Sequence, residues 1–335
     1  MSKNITKFIT AVIAYAGFAI YLYQPHFKNF DKLQYFLLIN ACLSSLGCFV
    51  LSRRWVGSFG GSFFAGAIYG FGPFMLGLGK YHPAAGFLAA IIPWFFCPAV
   101  FGPRVKLRWM RIPLAALPFL AIVLFFKVAA YYGLFPIPIQ TRLQLVDLAG
   151  LAVPLVAAKR NLSLVGFYHV PIAALVIGFS MMLAARRFGA ICIFCAGTIL
   201  AFCNSFFNVS PLIWLSLPVL CCSILIGEGL QGIGTAGFAD RKWLLAATAI
   251  MGTLAVCTLL LATKYYKVIA GLGAGYAEVF VQTARMYILG AIATGIIFFV
   301  ARAKLRWHQL RWVVLYSAIT VDIFFGATFI VDRIL

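Results

Sequence analysis

A chain of 335 residues that is 64% hydrophobic and only 10% charged, with a mean hydropathy of +1.02, lies far from the roughly 25% charge of a soluble domain. That composition excludes a water-soluble globule and predicts an all-α polytopic membrane protein, one integral helical domain over residues 1–335. The net charge of +20, from 27 Lys and Arg against 7 acids, would suggest nucleic acid in a soluble protein. Here the basic residues fall as pairs and quartets between apolar runs, where cytoplasmic positive charge and anionic headgroups account for them. The expected partner is therefore the lipid bilayer, with no nucleic acid.

Apolar runs long enough to cross about 30 Å of hydrocarbon occur near residues 7–23, 33–51, 57–79, 84–101, 112–133, 164–185, 188–208, 211–227, 243–263, 281–301 and 312–331. The first opens on the basic Met1-Ser-Lys-Asn-Ile-Thr-Lys7 and closes on no small-residue cleavage site, so it reads as a retained span. Two stretches fit less well. Residues 143–158 carry Gln144, Asp147 and Pro154, and residues 268–280 are glycine-rich and hold Glu278. If neither crosses, the basic groups at Lys3/Lys7, Arg53/Arg54, Arg104 to Arg111, Arg186/Arg187, Arg241/Lys242 and Arg302 to Arg311 share one side. The reading is then about eleven spans, within a range of ten to thirteen, plus one or two re-entrant or interfacial segments. It puts the protein in the cell inner membrane with the N-terminus cytoplasmic and the C-terminus outside. Lys159 and Arg160 then lie outside, against the rule.

Residues 57–111 form a hairpin: a glycine-rich run, a polar Lys80-Tyr81-His82-Pro83 turn, a proline-broken run and a basic cluster. Gly57/Gly61 and Gly66/Gly70 are small residues four apart, a spacing that permits close helix approach. Pro93 and Pro98 each remove a backbone donor from the next span. Lys80, Tyr81 and His82 sit at the outer tip, where an imidazole and an ammonium together suit proton donation or a phosphate. A snorkelling lysine in an interfacial turn fits the same residues.

The run Phe64-Ala-Gly-Ala-Ile-Tyr-Gly-Phe-Gly-Pro-Phe74, then Gly79-Lys-Tyr-His82, then Ala90-Ile-Ile-Pro-Trp94 resembles a stretch of polytopic GT-C-type membrane glycosyltransferases. The resemblance covers about residues 57–102. It implies transfer of a sugar from a polyprenyl-phosphate lipid on the outer face, with an acid of the first outer loop as base or metal ligand. That acid falls on Asp31 in Gln24-Pro-His-Phe-Lys-Asn-Phe-Asp31, and His82, Lys80 and Tyr81 lie near the lipid phosphate. The first outer loop here is much shorter than the family's and carries no second acid.

Most of the nine cysteines sit mid-span, where cysteine behaves as a small hydrophobe. Cys192-Ile-Phe-Cys195 has the C-x-x-C spacing of membrane thiol oxidoreductases of the vitamin K epoxide reductase type, with Cys203 on the same helical face and Cys48 a conceivable partner. Gly227-Glu-Gly-Leu-Gln-Gly232 matches G-x-G-x-x-G but follows an apolar span instead of a strand, so it is expected to be a cytoplasmic turn, a gate or a docking loop near Asp240.

Ionisable residues inside spans are the remaining pointers, because each costs several kcal/mol unless paired or hydrated. Glu278, Gln282 and Arg285 follow i, i+4, i+7 spacing and share a helix face, a polar stripe that could line a path for an ion or an anionic headgroup or equally be a structural ion pair fixing helix register. Lys127 and Asp147 could pair across helices, Asp322 lies in the last span, and His169 precedes Pro171 as a packed core residue. No metal-ligand spacing occurs, and the residues name no cofactor. Three function classes follow: a non-catalytic carrier or subunit bound to other membrane subunits, the transferase, and a thiol redox protein using Cys192 and Cys195.

Overall fold

A computed structural model describes residues 2–29, 35–102, 111–132, 149–152, 166–205, 209–236, 240–264, 276–302 and 308–335. Asp31, Asp147, the pair Lys159/Arg160 and residues 268–275 lie outside them. The described residues form no β-strand. In chain order the helices are α1 (Ser2–Tyr23), α2 (Tyr35–Ser52), α3 (Phe59–Gly70), α4 (Pro73–Tyr81), α5 (Pro83–Phe101), α6 (Arg111–Tyr131), α7 (Ala149–Ala152) and α8 (His169–Ala184). They continue as α9 (Phe188–Phe202), α10 (Pro211–Trp214), α11 (Ser216–Thr235), α12 (Arg241–Thr263), α13 (Tyr276–Arg302) and α14 (His308–Ile334). Counting α3–α4 and α10–α11 as single units, nine helices among the described residues are long and apolar enough to cross a membrane.

The helices coincide with the predicted apolar runs, and three departures have physical causes. The run 57–79 is broken at Phe71-Gly72, because Pro73 offers no N–H and holds Gly72 extended (φ −70°, ψ 159°) before starting α4. Helix α8 has 16 residues, so it rises only about 24 Å. The buried segment Phe167-Tyr168 that leads into it is not helical. The expected loop at Gly227–Gly232 is instead the interior of α11.

That correction explains the architecture. Helices α3–α4 and α10–α11 are the most deeply buried elements, while α1, α6 and α12 line the periphery. Helix α11 packs on α3, α8, α9 and α14. Glycines permit this crowding. A Cβ on Gly227 would meet the Gly61 carbonyl at 2.7 Å, and one on Gly61 would meet the Gly227 carbonyl at 2.7 Å. Gly66 and Gly70 serve the other flank, with Ser45 O and Ala41 O each 2.5 Å from the missing Cβ. The small-residue spacing read from the sequence thus presents Gly61 to α11 and Gly66/Gly70 to α2.

Buried aromatic donors find backbone carbonyls across helices: Tyr15 Oη donates to Phe63 O (2.6 Å), Tyr69 Oη to Ala89 O (2.8 Å) and Trp94 Nε1 to Leu43 O (3.1 Å). In an apolar interior such bonds fix helix pairs that hydrophobic burial alone leaves free to slide.

Candidate functional site: a buried His–Asp pair

Helix α8 begins badly on its own. Its N-cap residue Tyr168 supplies no side-chain cap, and Pro171 in the first turn has no N–H. The missing acceptor comes from α14. Asp322 Oδ2 accepts the Val170 N–H at 2.8 Å, and Oδ1 lies 2.8 Å from His169 Nδ1. His169 and Asp322 are both 0% exposed. A carboxylate at a helix N-terminus also meets the positive end of the helix dipole.

Neighbouring residues hold the pair in place. The Tyr287 ring of α13 stands perpendicular to the imidazole, centroids 4.7 Å apart. The Tyr168 hydroxyl donates to the Phe71 carbonyl, at the break between α3 and α4. Gly326, one turn after Asp322 on α14, leaves room for that tyrosine, since a Cβ there would sit 2.4 Å from its ring. The site therefore joins the broken helix, the start of α8, α13 and α14. His169 Nε2 is buried without a hydrogen-bond partner among the described residues.

His169 and Asp322 thus form an acid–base pair shut away from solvent. Any net charge left there carries a penalty of several kcal/mol. Around Asp322 the titratable groups are Tyr168 and Tyr287, with Tyr23 beyond Tyr168.

The residues singled out from sequence are distributed differently. Lys80, Tyr81 and His82 do meet at the tip between α4 and α5, all half-buried. Asp31 lies outside the described residues. Glu278 and Arg285 are exposed on α13 and Gln282 is half-buried. Val279, Thr283 and Tyr287 occupy that helix's inner face. Cys192 and Cys195 are exposed free thiols on α9. Cys48 is remote in role, its thiol donating to Ala65 O at 3.4 Å inside the core. Lys127 is exposed on α6. Among the described residues no group of three His, Cys, Asp or Glu side chains could hold a metal ion.

Sequence reading noted His169 and Asp322 separately and missed their pairing. It also missed Arg187–Glu228, where Nη1 and Oε2 are 2.7 Å apart. The signal for Glu228 was available: an acid flanked by glycines inside an apolar run needs a cation.

At the hairpin tip, burial holds the His82 imidazole below its ordinary value of about 6.5. The unfolded chain then binds the extra proton first. Stability is full above about pH 6.5 and falls as pH drops from there through the depressed value. Thermal melts of wild type and His82→Gln across that window should differ by this loss, which the variant lacks. Parallel pH profiles would contradict it.

Comparison with family models, with curated proteins and with solved structures finds no match for this chain.

Proposed function

We propose that this chain is a non-catalytic, multi-pass carrier of the cell inner membrane that exchanges a proton at His169–Asp322 when it opens at the α3–α4 break. The N-terminus and the basic helix ends face the cytoplasm, and the C-terminus faces outward. The observation that carries the reading is a fully buried acid–base pair tied through Tyr168 to an interrupted helix. Ionisable residues inside a span are costly and serve ion and proton paths. Interrupted helices beside such residues are how many carriers build a site near the membrane middle. A pair that only set helix register would work equally well beside an unbroken helix.

The test is proton movement. In liposomes containing a pH-sensitive dye and driven by a potassium-diffusion potential, wild type should carry protons inward faster than Asp322→Asn, with the variant's fold checked by its melt. Equal rates for wild type, Asp322→Asn and protein-free liposomes would refute the carrier reading.

A further inference from the structure

A second site lies at the basic end of the bundle, where α8 turns into α9. The turn is a Schellman motif: Arg187 N–H bonds Met182 O (3.4 Å), and Arg186 N–H bonds Leu183 O (3.1 Å). Arg186 occupies the left-handed position (φ 50°) that glycine normally fills. This geometry directs Arg187 back against α11, where one of its five N–H donors goes to Glu228 at 2.7 Å.

Beside this guanidinium is a cavity of about 260 Å³ between the α5–α6 pair and the α9–α11 pair. Its walls are apolar, with Val100 from α5, Ala115 from α6, Ile193 from α9 and Leu220 from α11. Arg187 and Trp55 mark its basic end. Val100, Ala115 and Ile193 are only half-buried, so the cavity opens on the outer surface of the bundle. A slot that admits hydrocarbon from the side, with a cation at one end, has the polarity of an amphiphile.

The charge at the mouth chooses the amphiphile. Arg53 and Arg54 immediately precede Trp55, and Arg186 precedes Arg187. Glu228 balances one of these four cations, which leaves the mouth positive. A guanidinium with unused N–H donors matches a phosphate oxygen pair in its fork geometry, and clustered cytoplasmic arginines select anionic lipid.

We propose that this cavity binds one anionic phospholipid, with an acyl chain between α5–α6 and α9–α11 and its phosphate on Arg187. The site is separate from His169–Asp322 and stands whether or not the carrier reading does.

Native mass spectrometry of the full-length protein, released from detergent with added phosphatidylglycerol or phosphatidylcholine, tests the assignment. Wild type should retain one phosphatidylglycerol per chain in preference to phosphatidylcholine. Arg187→Gln alone leaves Glu228 unpaired and risks misfolding. The double variant Arg187→Gln/Glu228→Gln removes both charges and keeps two groups able to hydrogen-bond each other. It should lose the preference. Ala190 of α9 also lines the cavity, so Ala190→Phe keeps the arginine, fills the space and should lose retention of both lipids. Equal retention of the two lipids by wild type would overturn the proposal, as would an unchanged preference in both variants.

Discussion

Replacing Asp322 by alanine is expected to lower the unfolding free energy by about 3–5 kcal/mol, the range for breaking a buried pair by removing one partner. The substitution strands the Val170 N–H and His169 Nδ1, both bonded to Asp322 at 2.8 Å, in a place that water does not reach. Neutral hydrogen bonds between membrane helices contribute only about 0.6 kcal/mol on average and at most about 1.7. A loss well above that range identifies a charged, dry interaction. Asp322→Asn should lose much less, because a carboxamide still accepts the Val170 N–H and can donate to His169 in its other tautomer. The reversible melt of each variant in detergent reads this difference. A loss below about 1 kcal/mol for Asp322→Ala would mean that the pair is solvated.

The second large effect belongs to the α8–α11 contact. A Cβ on Gly178 would lie 2.0 Å from Leu225 O, and one on Gly229 would lie 2.0 Å from Ala174 O. Both obstacles are backbone, so the helices must separate instead of a side chain rotating away. Alanine at either position should cost about 1–3 kcal/mol, as overpacking does elsewhere, and leucine should abolish the yield of folded protein. Gly252 of α12 has nothing within 4 Å of its missing Cβ. Gly252→Ala should therefore stabilise by roughly 0.5–1 kcal/mol through helix propensity alone. Equal effects at all three positions would show that the bundle does not depend on this close approach.

The comparison of sequence with structure separates what is local from what is not. Apolar run length is local, and each run in the sequence has its helix. Gly61, Gly66 and Gly70 were legible as small-residue positions, although which helix each would meet was not. The Phe71-Gly72 break was present in the Gly-Pro dipeptide but masked by the continuous hydrophobicity around it. Gly227–Gly232 misled because glycine in a soluble helix costs about 1 kcal/mol per residue. In α11, Gly227 and Gly229 let its backbone approach those of α3 and α8. The His169–Asp322 pair was illegible for a different reason, since 153 residues separate its members and no local spacing links them. Glu278, Gln282 and Arg285 show the limit of local spacing: it puts residues on one helix face but does not say which way that face points.

Infrared difference spectra of the protein in liposomes, taken with and without an imposed proton gradient, test the exchange of a proton at the buried pair most directly. The chain has only seven acids, so the carboxylic-acid C=O region is sparsely occupied. Imposing the gradient on wild type should change a carboxyl band that is missing from Asp322→Asn. If the two spectra coincide while both proteins remain folded, Asp322 does not take up a proton, and the pair is a fixed brace between α8 and α14.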